Sequence, residues 1–211
     1  MQLVSSIGAV GSGYLVRPPV PARHTTLQLE LVHRAHPERA ACEQFIAARF
    51  QRAHGARVAH FCPHLLGVRD ALGRWRAASG YMPAAGNRLF LEQYLDASIE
   101  ETLTRSRGGI VTRDAIVEVG NLAAATSGMA RALIPLLSRS LHRLGYQWVV
   151  FTLTRELRNS FARLGLHPIR LAAADPQCLP DRGAAWGSYY GNDPLVMAGR
   201  IRNGVRIALP E

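Results

Sequence analysis

The segment from Ala115 to Leu144 restricts the fold of this chain more than any other stretch. It begins with an apolar run typical of a buried strand, passes through small residues and continues as a helix with an apolar stripe. A strand that leads through such a turn into a helix directs backbone N–H groups at an anion. One carboxylate, Glu118, lies in the middle of the strand, where burial would raise its pKa. The segment therefore predicts an anion-binding turn beside a candidate general base.

The remaining pattern predicts a mixed sheet with helices on both faces. Alternation of Leu27, Leu29 and Leu31 with their neighbours predicts a first strand. Asn87 and Ser98 are predicted to cap two short helices within 87–107. The other predicted elements are a helix over 37–54, a hairpin over 61–70 and 74–82, a buried strand over 147–154, a helix that ends at Gly165, and strands over 166–172 and 194–201. The order of strands and helices predicts a ligand site where two central strands diverge near Glu118.

The chain has 211 residues, which fits one well-buried domain and is short for two. Residues 1–23 are rich in Gly, Ser and Pro, and we expect them to form a mobile N-terminal arm. Residues 24–211 are expected to form the single folded domain.

The charge is unusual in kind as well as in amount. The formal net charge is +10, and every one of the 25 basic residues is Arg. The absence of Lys excludes a Schiff-base lysine and a P-loop lysine. A GC-rich genome would also favour Arg, but guanidinium groups bind phosphates and carboxylates in either case. The charge predicts an anionic partner, such as a nucleotide cofactor, an acidic carrier protein, a membrane surface or a nucleic acid.

Several classes of protein are disfavoured by what the sequence lacks. Three scattered cysteines do not form a disulfide framework and indicate a reducing compartment. No apolar run is long enough for a transmembrane helix, and no signal peptide precedes the fold, so we expect a cytoplasmic protein. The cluster His60–His64 has residue types that bind metals, but no second cluster completes a set, so no metal site is predicted.

Six linked motifs lie over roughly residues 65–199. They are the run 117–123 with the loop and helix after it, 148–152, Leu157-Arg158-Asn159, Leu164-Gly165-Leu166, LFLEQYLD at 89–96 and WGSYY at 186–190. Together these motifs resemble the thermostable hemolysin family of bacterial proteins. This family is similar to the GNAT acyltransferases and to acyl-homoserine-lactone synthases. The resemblance implies an α+β fold with a GNAT-like, mostly antiparallel central sheet.

The resemblance also implies N-acyl transfer from a phosphopantetheine thioester to the amine of a small molecule. The donor would be acyl-CoA or an acyl carrier protein, used as a co-substrate, and no cofactor would be tightly bound. The strand of Glu118 would be the one that splays away from its neighbour. The loop 124–128 would replace the pyrophosphate loop, but it contains only Gly128 where the GNAT pattern has spaced glycines. This departure favours an acidic carrier protein, which a +10 chain would attract.

Site residues follow from the same resemblance. Glu118 is the predicted general base, and Asn159 and Tyr189 would position the thioester or protonate the leaving thiolate. Other interpretations remain open: Glu118 as a structural carboxylate paired with Arg, Asn159 as a solvated helix residue, and Tyr189 as a core aromatic. The predicted donor-binding residues are Asn121, Leu122, Ala123, Thr126, Ser127, Gly128 and Arg131, and the predicted substrate contacts are Glu92, Thr152 and Trp186. Backbone N–H groups of 121–123 would stabilise the oxyanion.

Two other functions fit the sequence less well. A membrane-active hemolysin without enzymatic activity would need a free amphipathic helix or a pore-forming hairpin, and the basic helices here have the pattern of ordinary core-covering helices. A nucleic-acid-binding module is disfavoured because the arginines are dispersed and no recognition motif is present.

Overall fold

The computed structural model describes residues 27–208, so the predicted arm over residues 1–23 lies outside the described residues. The secondary structure follows the predicted order, with boundaries that differ by a few residues, and adds a short helix after the last strand that was not predicted. The strands are β1 (Gln28–Val32), β2 (His64–Arg69), β3 (Trp75–Pro83), β4 (Ile116–Ala124), β5 (Trp148–Leu153), β6 (Ile169–Ala173) and β7 (Leu195–Arg200). The α-helices are α1 (Arg39–His54), α2 (Ile99–Arg107), α3 (Ser127–Arg143), α4 (Arg155–Arg163) and α5 (Ile201–Val205).

The seven strands form one sheet in the order β1-β2-β3-β4-β5-β7-β6. Strands β4 and β5 pair in parallel, and every other neighbouring pair within residues 27–208 is antiparallel. Helix α1, α2 and the turn Phe90–Tyr94 cover one face, and α3, α4 and α5 cover the other. The predicted mixed, mostly antiparallel sheet with helices on both faces is confirmed.

The two parallel strands separate halfway along their length. They pair from Ile116 opposite Trp148 to Val119 opposite Phe151. Beyond that point β4 continues its pairing with β3, and β5 continues its pairing with β7 as far as Leu153. The sheet therefore opens into a split between 120–124 of β4 and the end of β5, where the sequence predicted divergence.

A β-bulge at Asn121 lies at the start of this split. Asn121 has φ of 51°, and the register with β3 shifts between Ala78 and Gly80. The bulge changes the alternation of β4 by one residue, so that Leu122 packs in the same cluster as Val119 although their positions differ by three. Glu118 faces the opposite side of the sheet, toward the turn Phe90–Tyr94.

One of the two capped helices is different from the prediction. The first is a short 3₁₀ turn, Phe90–Tyr94, which begins after Leu89. Asn87 does not cap it, because its side-chain amide donates to the carbonyls of Pro83 and Ala85. The Glu92 carboxylate instead accepts the Leu89 N–H. The second helix, α2, is capped by Ser98 as predicted.

Candidate active site

A cavity of about 1680 Å³ occupies the split and extends onto both faces of the sheet. Its size is sufficient for a thioester arm and an acceptor together, since ligand cavities usually measure about 300–1,000 Å³. The cavity wall brings together most of the predicted site residues. These are Glu118, Asn121, Leu122, Thr126, Ser127, Thr152, Trp186 and Tyr189.

Five predicted site residues do not belong to this wall within the described part of the chain. Ala123 is buried under α1, because the bulge turns it away from the split. Gly128 and Arg131 are exposed on the first turns of α3, and Asn159 is exposed on α4. Their helical positions direct them to solvent rather than to the strands below. The fifth residue, Glu92, has a structural role described below.

Glu118 is almost completely buried, with 7% of its surface exposed. Its Oε2 accepts a hydrogen bond from the Phe90 N–H at 2.7 Å, and its Oε1 accepts one from the Leu91 N–H at 3.1 Å. Among residues 27–208 it forms no ion pair, which does not fit the interpretation of a carboxylate paired with Arg. Burial raises its pKa to about 7, although the two N–H groups favour the ionised form. Glu118 is thus placed to exchange a proton near neutral pH.

Glu92 lies on the other side of the same turn and is fully engaged. Its oxygens accept the N–H groups of Leu89 and Ile99 at 2.8 and 2.9 Å. Arg113 binds it through two guanidinium nitrogens, at 2.7 and 2.9 Å. Burial alone would raise the pKa of Glu92, but the Arg113 and N–H hydrogen bonds lower it to about 2. This geometry leaves no free acceptor for a substrate, so the predicted substrate contact of Glu92 is replaced by a structural one.

An aromatic wall closes the cavity on the face of Glu118. Neighbouring rings lie 5.3 to 6.3 Å apart between centroids. The Tyr94 and Tyr190 hydroxyls are hydrogen-bonded at 2.6 Å. The members of the wall are Phe50, His54, Phe90, Tyr94, Trp186, Tyr189 and Tyr190.

The WGSYY motif supplies three of these rings, and its glycine explains how they reach α1. Gly187 has φ of 54°, and a Cβ at this position would lie 2.0 Å from the carbonyl oxygen of His54. Ser188 donates its N–H to the same oxygen at 2.8 Å. Only glycine permits this close approach, and the approach holds Trp186 and Tyr189 against the end of α1.

Tyr189 connects the aromatic wall to the split. Its hydroxyl lies 3.5 Å from the backbone oxygen of Thr152, which follows the last β4–β5 pair. Burial raises the pKa of Tyr189 above its usual value, so the hydroxyl stays protonated and can act as a donor. The predicted residues Thr152 and Tyr189 are therefore neighbours.

The turn before α3 has the predicted helix-start geometry. Thr126 caps the helix by accepting the Met129 N–H at 3.3 Å. Arg49 of α1 donates to the carbonyl of Ala125 at 3.3 Å, which brings a guanidinium to the same turn. The first turn of α3, Thr126 and Arg49 are together suited to a phosphate group.

His60 and Cys62, in the loop before β2, belong to the cavity wall but were not predicted as site residues. The Asn121 side chain accepts the Cys62 N–H at 2.9 Å and donates to the His60 carbonyl at 3.2 Å, so it ties the loop before β2 to the bulge. Cys62 lies directly over Gly80, where a Cβ would be 2.6 Å from the Cys62 Cβ. Burial raises the pKa of the Cys62 thiol to about 12, which makes it a poor nucleophile. The small residue at position 80 was the one signal available, and its partner could not be read from it.

The sequence matches a family model described as thermostable hemolysin over residues 32–205. No curated protein matches it. No helix within the described residues combines the length and apolar character needed to cross a membrane. Over the same residues, no group of three His, Cys, Asp or Glu side chains is arranged to hold a metal ion.

Solved structures share the fold at low sequence identity. FeeM, an N-acyl amino acid synthase from uncultured soil microbes, aligns with a TM-score of 0.61 and 12% identity, covering 87% of this chain and 94% of its own. The AHL synthase LasI aligns with a TM-score of 0.57 and 13% identity, covering 89% and 98%. MesI, a CoA-dependent acyl-homoserine lactone synthase, aligns with a TM-score of 0.52 and 18% identity, covering 84% and 91%.

Proposed function

The chain belongs to the thermostable hemolysin family, and from this premise and the geometry of the cavity we propose that it is a GNAT-type N-acyltransferase. It would move an acyl group from a phosphopantetheine thioester to the amine of a small molecule. The observation that carries the proposal is the buried Glu118, with a pKa of about 7, on the wall of a cavity that fills the split between β4 and β5. The fold shared with FeeM, LasI and MesI supports acyl transfer to an amine.

The donor arm would enter the split from its open end. Past Val119 and Phe151 the facing edges of β4 and β5 are no longer paired with each other. An amide-containing arm such as pantetheine can hydrogen-bond to an unpaired strand edge. Its phosphate would then meet the first turn of α3, with Thr126 and Ser127 on the cavity wall.

The donor is proposed to be an acyl carrier protein or CoA. A single glycine in the turn 124–128 and the net charge of +10 favour a carrier protein, which is acidic and has only one phosphate on its arm. The "CoA-dependent" description of MesI keeps CoA as the second donor. We place the reaction in the cytoplasm, since the three free cysteines fit a reducing compartment.

The chemistry needs a base, an oxyanion contact and a proton for the leaving group. Ionised Glu118 would take a proton from the acceptor ammonium, directly or through a water, and the neutral amine would attack the thioester carbonyl. The C–N bond forms, the oxyanion is stabilised by backbone N–H groups of 121–123, and the C–S bond then breaks. Tyr189 would donate a proton to the thiolate and regain one from the nitrogen, which loses its extra proton on collapse, and Glu118 would release the ammonium proton to water before the next turnover. Asn159 receives no role because it is exposed on α4.

The proposal is tested by measuring free thiol and product together. Purified protein is incubated with acyl-phosphopantetheine thioesters, in the CoA and carrier-protein forms, and with a mixture of primary amines. We expect thiol release that depends on the amines, and N-acyl products identified by mass spectrometry. The control for Glu118→Gln in this assay is Glu101→Gln, at an exposed residue of α2. Thiol release that is independent of amine, or absent with every donor, would contradict the proposal.

A further inference from the structure

The cavity does not end at the split. On the face covered by α3 and α4 it continues back from the last β4–β5 pair, Val119 and Phe151, along β5 to Val149 and along β7 to Gly199. We call this extension the apolar groove. Its apolar lining residues are Val119, Ile134, Leu137, Val149, Phe151, Phe161, Leu166, Pro168 and Gly199, and the same cavity wall also includes Ser138, His167, Arg202 and Asn203.

The floor of the groove is formed by two antiparallel strands. Phe151 lies opposite Met197, and Val149 lies opposite Gly199. A Cβ on Gly199 would lie 3.8 Å from the Val149 Cγ1 and 3.9 Å from the Pro168 Cβ. These are ordinary van der Waals distances, so the glycine leaves a depression that a larger side chain would fill.

The groove is apolar and only partly covered. Val149, Leu166, Pro168 and Gly199 are all partly exposed, whereas Phe151 and Phe161 are buried beside them. A ligand that covers this apolar surface removes it from water, and this burial favours binding. Along β5 the groove runs from Phe151 to Val149, for roughly 7 Å at about 3.4 Å per residue. An acetyl group would leave most of that length empty.

We infer that the donor carries a medium or long alkyl chain and that the apolar groove holds this chain. The inference rests on the proposed function, because the thioester carbonyl in the split would lie where the groove begins, at Val119 and Phe151. The chain would run down the α3–α4 face, while the amine would approach Glu118 from the opposite face. The two substrates then occupy different sides of the sheet and meet at the split.

Ligand binding tests whether the apolar groove holds an alkyl chain, and it requires no reaction. The ligands are S-alkyl phosphopantetheine thioethers with alkyl groups of 2, 6, 10 and 14 carbons, titrated into the full chain by calorimetry. We expect Kd to fall with chain length, by up to about fourfold per added methylene while the groove fills, and then to level off. Equal Kd for the 2-carbon and 10-carbon ligands would overturn the inference.

Gly199→Leu identifies the site. The added side chain should fill the groove, so the 10-carbon ligand should lose at least tenfold in affinity, and the preference of acyl transfer should move to shorter chains. Gly109→Leu is the matched control, since Gly109 lies outside the cavity wall and nothing lies within 4 Å of its Cβ position. An unchanged chain-length profile in Gly199→Leu would contradict the assignment. Should this variant melt early, Leu166→Trp on the other wall serves the same purpose.

The outcomes separate this inference from the proposed function. Amine-dependent transfer that is fastest with acetyl donors would leave the acyltransferase intact and refute the long-chain donor. Tight binding of long-chain thioethers without any transfer would support the groove and refute the enzyme.

Discussion

Two carboxylates lie on opposite sides of the Phe90–Tyr94 turn, and they differ in one essential respect. Each accepts two backbone N–H groups. Glu92 also binds Arg113, and its pKa is about 2, whereas Glu118 has no cation partner among the described residues and its pKa is about 7. The comparison teaches that burial raises the pKa of a carboxylate even when it accepts two backbone N–H groups, as at Glu118, and that a counter-charge such as Arg113 is needed to outweigh burial, as at Glu92.

The two sites also depend on each other. Arg113 holds Glu92, donates to the carbonyls of Ala84 and Asn87, and so fixes the start of the turn. The same turn presents the Phe90 and Leu91 N–H groups to Glu118. The structural carboxylate therefore positions the proposed catalytic one.

The largest expected effect is on the rate. Glu118→Gln should lower amine-dependent acyl transfer by about 10²-fold or more, the usual scale for removal of a general base. The Gln oxygen can still accept one of the two backbone N–H groups, so the variant should fold, as checked by circular dichroism. Glu92→Gln at matched folded concentration should retain much more activity. Equal losses in the two variants would remove the distinction between the sites.

The contributions of Glu118 and Glu92 to the free energy of unfolding should change with pH in opposite directions. Because the folded pKa of Glu118 is raised from 4.5 to about 7, its contribution is fully present below the unfolded value and is lost as pH rises through about 7. At about 1.4 kcal/mol per pKa unit the loss is roughly 3 kcal/mol. Glu92, with its lowered pKa, contributes stability that is lost as pH falls from about 4.5 toward 2. Urea unfolding of wild type and Glu118→Gln between pH 4 and 8 measures the contribution of Glu118. Free energies of unfolding that change with pH in parallel in the two proteins would contradict the prediction.

Removal of the Arg113 guanidinium should make the environment of Glu92 resemble that of Glu118. Arg113→Met leaves Glu92 buried without its counter-charge and should lower the free energy of unfolding by about 2–3 kcal/mol, near the lower limit for a broken buried pair. Arg113 is partly exposed, at 26%, which keeps the effect below the full range. Arg105→Met, at an exposed residue of α2, is the control and should stay within about 0.5 kcal/mol of wild type. A loss no greater than that of the control would show that Arg113 does not hold the turn.

The smallest effect is expected from Arg113→Lys. The charge is kept but the bidentate contact with Glu92 is lost, so we expect a loss of about 1 kcal/mol in urea unfolding. A loss as large as that of Arg113→Met would mean that geometry, and not charge, stabilises Glu92.

The strand, turn and helix around Glu118 could be predicted because their signals are local. The apolar run gives β4, and Thr126 gives the start of α3. The first strand was also predicted, but its alternation did not show that Leu29 and Leu31 would be exposed, at 42% and 50%. Which side of an edge strand is covered depends on the neighbouring elements.

The difference between the two carboxylates could not be predicted, because it depends on contacts distant in sequence. Glu92 and Glu118 both lie in apolar runs, and Arg113 reaches Glu92 from 21 residues away. The contact of Ser188 with His54 joins residues 134 positions apart and builds the aromatic wall. The bulge at Asn121 is set by pairing with β3, which no local pattern reports.

The central claim is that Glu118 is the base beside a thioester in the split, and its most direct test is the pH dependence of acyl transfer. Initial rates of amine-dependent thiol release are measured from pH 5 to 8 in wild type and Glu118→Gln, with amines of different pKa to separate the ionisation of the acceptor. We predict that the wild-type rate rises about tenfold per pH unit and levels off near pH 7, whatever the amine, and that the variant lacks this pH-dependent rise. The same rise in Glu118→Gln, at an undiminished rate, would contradict the account.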